Sequence, residues 1–126
     1  MTKTAAEMVA DAKGQVENLT VDAVADEMAS GDVVLVDLRE PEELAATGRI
    51  PGSVHVPRGM LEFRADPTSA YHQDPLDPSR RVIVHCASGG RSALAAATLQ
   101  SMGYTNVAHL DGGFTAWKEA GRPIES

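Results

Sequence analysis

The sequence predicts an α/β fold, a mainly parallel central sheet flanked by helices, and two features of its patterning carry that prediction. Short apolar runs rich in β-branched residues, at 33–36 and 82–84, read as strands buried on both faces. Ala- and Leu-rich stretches with apolar residues at helical spacing lie between such runs and end at glycines. Strands alternating with helices in this way build parallel sheets.

Residues 4–17 read as a short helix with Ala5, Met8, Val9, Ala12 and Val16 on one face, and Gly14 weakens it. This helix is expected to be a packing arm over 1–18, ahead of a single domain over 19–126. A short strand near Leu19 adds a fifth to the sheet. Thr20 is placed to cap a helix that runs to Met28 or Ala29, with Asp22 in its first turn. Ser30-Gly31-Asp32 turns the chain into a strand over 33–37 that ends at Asp37. Pro41 opens a third helix, with Glu42, Glu43 and Leu44, that stops near Gly48. Pro51-Gly52 makes a turn before a short strand at 54–56, where His55 alternates with Val54 and Val56 and reads as a structural histidine.

Residues 64–79 hold three of the seven prolines and show no periodicity. A loop of that length is usually a functional rim or a mobile tie, and Tyr71 and His72 either overhang a pocket or lie on the surface. A strand follows at 81–85, then a helix over 92–102 closed by Gly103. The last strand, 106–110, turns at Asp111-Gly112-Gly113 into a helix from Phe114 to about Ala120. Gly121 and Pro123 stop that helix, and Phe114 and Trp117 on it read as core aromatics.

Composition narrows the function. The 126 residues are 43% hydrophobic, enough for one core. No apolar run approaches a membrane span, and Glu7, Asp11, Lys13 and Glu17 near the N-terminus argue against a secretory signal, so the cytoplasm is the expected compartment. A net charge of −7 disfavours nucleic acid and anionic membrane surfaces as partners. One cysteine excludes an internal disulfide, and His55, His72, His85 and His109 lack metal-ligand spacing. Neither a metal nor another cofactor is expected.

The chemistry concentrates where the strand at 81–85 meets the helix at 92–102. Between them lies Cys86-Ala87-Ser88-Gly89-Gly90-Arg91-Ser92, which contains the only cysteine. A tight strand-to-helix turn aims several backbone N–H groups at one spot, and the helix adds the positive end of its dipole. Such donors favour a thiolate over a thiol. Gly89 and Gly90 let the backbone curl, and Arg91 adds a permanent charge at the rim. A lone cysteine is otherwise a buried apolar residue; the glycine-rich cradle points instead to a nucleophilic sulfur beside a bound anion.

The loop resembles the active-site loop of the rhodanese family, the sulfurtransferases. Further matches run in order: Val36-Asp37-Leu38-Arg39-Glu40, Gly48-Arg49-Ile50-Pro51-Gly52-Ser53, Pro57-Arg58-Gly59 with Leu61-Glu62-Phe63, then Gly103-Tyr104, Asn106-Val107, Leu110-Asp111-Gly112-Gly113-Phe114 and Trp117. The resemblance implies the three-layer sandwich of that family. It makes Cys86 the nucleophile that carries a persulfide, and puts Arg91, Arg58, Ala87, Ser88, Gly89, Gly90 and Ser92 around the substrate. It gives Asp37, Arg39 and Glu62 supporting roles. For Arg39 a surface pair with Asp37 is an equal alternative, and for Arg58 an i,i+4 pair with Glu62.

The implied partners are a small anionic sulfur donor such as thiosulfate and a thiol or protein acceptor. Three other readings stand beside this one. A cysteine phosphatase or arsenate reductase also uses a thiolate in a strand–loop–helix cradle. Its loop needs a longer spacer to wrap a tetrahedral oxyanion than the four residues, Ala87 to Gly90, found here. A non-catalytic regulatory or sulfur-carrier module is disfavoured by the presence of both Cys86 and Arg91. A thiol oxidoreductase lacks its second cysteine.

Overall fold

Every strand pairing in the sheet is parallel, and Val107–Leu110, Val82–His85 and Val34–Asp37 lie in that order between the edge strands Glu17–Leu19 and Val54–His55. The computed structural model describes residues 2–126. The strands are β1 Glu17–Leu19, β2 Val34–Asp37, β3 Val54–His55, β4 Val82–His85 and β5 Val107–Leu110. The helices are α1 Ala5–Gln15, α2 Val21–Ser30, α3 Pro41–Thr47, α4 Leu61–Ala65, α5 Gly90–Ser101 and α6 Gly113–Glu119. None among the described residues is long and apolar enough to cross a membrane.

The three central strands are buried at every position because helices cover both faces. Their side chains alternate. Val34, Val36, Val82 and Val84 point to one layer with Leu61, Ala96 and Leu99, while Leu35, Ile83, Ala108 and Leu110 meet Val24, Phe114 and Trp117 in the other. This is the three-layer α/β sandwich the sequence implies. Because Asp37 of β2 is level with His85 of β4, the chain segments leaving both strands emerge side by side at the carboxyl edge.

Local chemistry sets the helix ends. Thr4 and Glu7 form a capping box at the start of α1, and the Thr20 side chain accepts from the Ala23 N–H at the start of α2. The expected apolar face of the first helix is only partly covered: Ala12 and Val16 are buried, and Met8 is exposed. Helix α1 lies along α5, and β1 pairs with β5 directly after it.

The segment after β3 is more helical than its sequence suggests. A 3-10 turn, Arg58–Met60, leads into α4, which buries Leu61 and Ala65 four residues apart. Residues 66–80 then run through turns closed by their own side chains. Asp66 Oδ1 accepts from the Thr68 N–H and Asp77 Oδ1 from the Ser79 N–H, and Leu76 is a buried anchor. Tyr71 lies on the surface with its ring edge-on to Phe63, and the His72 ring meets the Leu76 carbonyl.

One charged pair lies inside the fold. Arg39 is 2% exposed and Asp37 is fully buried. The Arg39 Nε and Nη2 donate to the Asp37 carboxylate at 2.9–3.3 Å. Its Nη1 reaches Thr47 Oγ1 and its Nη2 the Gly48 carbonyl, both at 2.8 Å, while the guanidinium lies 4.0 Å from the Phe114 ring centroid. The surface-pair alternative for Arg39 is therefore corrected: α3, α6 and the carboxyl edge of β2 close around it. Burial alone would raise the Asp37 carboxyl, but the Arg39 hydrogen bonds, with the charge of His85, hold it below its usual range.

Removing Arg39 leaves a buried carboxylate without its partner. Arg39→Met is expected to cost about 3–5 kcal/mol in urea unfolding. Arg58→Ala, which breaks a half-exposed pair with Glu62, is expected to cost about 1 kcal/mol or less.

Candidate active site

The loop after β4 owes its shape to its carbonyls. The Cys86 carbonyl accepts from the Phe114 N–H at 2.8 Å, and the Ala87 carbonyl from the Thr115 N–H at 3.0 Å. Both donors lie in the first turn of α6, where helix N–H groups have no partners of their own. With the carbonyls held there, the loop's N–H groups are free to turn toward sulfur. Gly89 N–H donates to Cys86 Sγ at 3.2 Å and Ser92 N–H at 3.4 Å. Gly89, with φ +110°, is the left-handed residue that lets the chain enter α5 at once.

Gly113 has φ +60°, and a Cβ there would stand 2.5 Å from the Cys86 carbonyl oxygen. No other residue permits this approach of α6 to the loop. The Cys86 residue is 1% exposed and belongs to the core layer that holds Leu38 and Val84. Ser88 is exposed at the loop's tip, Gly89 and Ser92 are buried, and Ala87, Gly90 and Arg91 are partly covered.

The charged residues named from the sequence divide into separate groups. Arg91 donates from both terminal nitrogens to Glu43 of α3, at 2.8 and 2.9 Å. These bonds hold the Glu43 carboxyl down at about 2. Glu43 was read in the sequence only as a helix-starting acid; nothing in one dimension pairs it with a residue 48 positions away. Arg58 instead pairs with Glu62 at 2.9 Å and its Nη2 approaches Thr98 Oγ1 at 3.5 Å. Thr98 lies roughly 12 Å along α5 from Gly90, at about 1.5 Å per residue, so Arg58 faces a groove between α1 and α5 and not the loop.

Asp37 and Arg39 connect to the loop through neighbours. Arg39 lies over Phe114, whose N–H holds the Cys86 carbonyl, and Asp37 holds Arg39. His85, fully buried, points Nε2 toward Asp37 Oδ2 at 3.7 Å, and burial pushes its imidazole below the usual range against the pull of Asp37. His55 meets the Arg39 carbonyl at 2.7 Å, a structural contact.

Comparison with known proteins adds the lineage. Residues 20–120 match the sequence profile described as the rhodanese-like domain. A protein of Allochromatium vinosum named sulfurtransferase is 38% identical over 93 residues, covering 74% of this chain and 78% of its own. Thiosulfate:glutathione sulfurtransferase of Saccharomyces cerevisiae is 35% identical over 101 residues, covering 71% of this chain and 68% of its own. A solved structure from Rhodopseudomonas palustris, described as a protein of unknown function and possible tyrosine phosphatase, has a TM-score of 0.93 at 45% identity. That match covers 99% of this chain and 96% of the other.

One glycine substitution tests the seat of the loop, and a second, in α1, is its control. Gly113→Ala must push α6 from the Cys86 carbonyl and is expected to cost about 1–3 kcal/mol in urea unfolding. Gly14→Ala, which meets nothing within 4 Å, is expected to stabilise the protein by up to about 1 kcal/mol.

Proposed function

This chain belongs to the rhodanese-like domain family, and on that premise we propose that it is a sulfurtransferase that moves a sulfane sulfur through a persulfide on Cys86. The observation that carries the reading is the pair of backbone N–H groups, from Gly89 and Ser92, aimed at the only sulfur nucleophile in the chain.

The Cys86 thiolate attacks the outer sulfur of a donor such as thiosulfate. A sulfur–sulfur bond forms to Cys86, the donor's own sulfur–sulfur bond breaks, and sulfite leaves with the electron pair. The outer persulfide sulfur is then received by the N–H groups of residues 87–92. A nucleophilic acceptor, cyanide in an assay or a thiol in the cell, takes that sulfur and returns Cys86 as a thiolate, a ping-pong sequence. With one cysteine the chain holds no resolving thiol, so the acceptor comes from outside. The yeast relative's name, with thiosulfate and glutathione in it, supports this donor and acceptor chemistry.

Arg91 serves the anionic donor in this reading, and Glu43 competes for it. The protein's net charge of −7 repels an anion at long range, so attraction has to come from this guanidinium and the loop amides. Arg58, turned toward Glu62 and Thr98, is left out of this reading.

A phosphatase reading is favoured by the description of the Rhodopseudomonas palustris structure. The four-residue spacer from Ala87 to Gly90 stands against it, because the loop closes tightly enough for Gly89 and Ser92 N–H to reach Sγ itself.

Mass spectrometry after thiosulfate treatment is expected to show one added sulfur atom, absent in Cys86→Ser, with negligible hydrolysis of a small aryl phosphate. Ready phosphate hydrolysis with no persulfide from any donor would sink the proposal. Glu43→Gln is expected to lower the KM for thiosulfate about two- to fivefold by releasing Arg91, and Arg91→Lys to raise it; steady-state kinetics read both.

A further inference from the structure

A line of polar side chains leads from Cys86 toward β1. Cys86 Sγ lies 3.6 Å from Ser92 Oγ as a thiol donor, Ser92 Oγ lies 2.8 Å from His109 Nδ1, and His109 Nε2 lies 2.7 Å from Asn18 Oδ1. Ser92 and His109 are fully buried. The persulfide scheme gives His109 no role.

The direction of the line is set at its far end. Asn18 Nδ2 donates to the carbonyls of Lys13 and Val16, at 2.9 and 3.0 Å, so its Oδ1 is the atom turned to His109. The neutral ring therefore carries its proton on Nε2, and Nδ1 is an acceptor. The Ser92 hydroxyl has two acceptors, the Gly89 carbonyl at 3.3 Å and His109 Nδ1 at 2.8 Å; the shorter contact takes its proton and leaves a lone pair toward the Cys86 thiol.

We propose that Ser92 and His109 form a proton relay for Cys86, with His109 a positioning residue that takes the thiol proton through the Ser92 hydroxyl. The Cys86 S–H proton passes to Ser92 Oγ as the Ser92 hydroxyl proton passes to His109 Nδ1. The products are a Cys86 thiolate that accepts from the Ser92 hydroxyl, and an imidazolium that donates from Nδ1 to Ser92 and from Nε2 to Asn18. No atom or electron is gained or lost, and the reverse transfer reprotonates Cys86 when it is idle.

The surroundings suit an acceptor that is empty at rest. Lys13 of α1 and Asp111 beyond β5 face His109 and pair with each other at 3.1 Å. Burial pushes the imidazole below its ordinary range, Asp111 opposes this and Lys13 adds to it. His85 is no rival for the proton: its Nδ1 lies 3.4 Å from the Cys86 carbonyl and its Nε2 faces Asp37. The relay rests on Cys86 being the nucleophile, and it holds whatever the sulfur donor.

The test reads thiol ionisation and not turnover. Ultraviolet thiolate absorbance is followed against pH as the difference from Cys86→Ala, for wild type, Ser92→Ala, His109→Gln and the double variant. Each single variant is expected to hold about tenfold less thiolate at neutral pH, a shift of about one pH unit in midpoint. The double variant is expected to lose no more than either single one, since both break the same line. Curves that coincide with wild type, or a double loss equal to the product of the single losses, overturn the relay. Should His109→Gln fail to fold, NMR titration of the His109 ring serves instead. Its midpoint is expected to fall in Cys86→Ala, where no thiolate supports the imidazolium, and an unchanged midpoint overturns the relay. Failure of wild type to gain sulfur from thiosulfate, with these coupled titrations intact, would remove the sulfurtransferase reading and leave the relay standing.

Discussion

The seat of α6 beneath the Cys86 loop is the contact on which the rest of the site depends. Two helix N–H groups hold the carbonyls of Cys86 and Ala87, and a chain with those carbonyls fixed has its following N–H groups directed at sulfur. The contact needs Gly113, whose missing Cβ admits the carbonyl. Behind it stands a series of supports reaching back to the sheet. Phe114 lies against Arg39, Arg39 is held by Asp37, and Asp37 is level with His85 at the end of β4. The buried ion pair thus shapes the sulfur site without touching sulfur. Its desolvation cost is offset by bidentate geometry and by the further bonds to Thr47 and Gly48.

Charge is handled locally in a molecule whose net charge is −7. Each guanidinium near the carboxyl edge has a carboxylate: Arg39 with Asp37, and Arg91 with Glu43. Only the second pair is partly open to water, so only it can exchange its carboxylate for an incoming anion at modest cost. Burial therefore separates an arginine locked inside the fold from one open to an incoming anion, though both sit at strand or helix ends in the sequence.

Much of the fold was legible in one dimension. The β-branched runs of β2 and β4 are too apolar to be anything but central strands, and Thr20, Pro41, Gly31 and Gly121 bound their helices by local chemistry alone. The cysteine in a glycine-bearing strand-to-helix turn was equally plain, because the donors that serve it are its own next neighbours in the chain. Helix α4 was not legible, since its reason is the burial of Leu61 and Ala65 against distant strands.

What the sequence by itself determined is the class of fold, the place of the lone cysteine and the amides around it: all depend on contacts a few residues long. Only the tertiary structure decided which partners meet across the chain. It put Glu43 on Arg91, chose for Arg58 the Glu62 pair that the sequence had left as one of two alternatives, buried Arg39, and brought Ser92, His109 and Asn18 into line behind Cys86. These pairings join α3 to α5, and α5 through β5 to β1. Their separations along the chain, from 17 to 91 residues in that last line, carry no periodic or spacing signal, and the stacking of the sheet order alone brings them within a hydrogen bond.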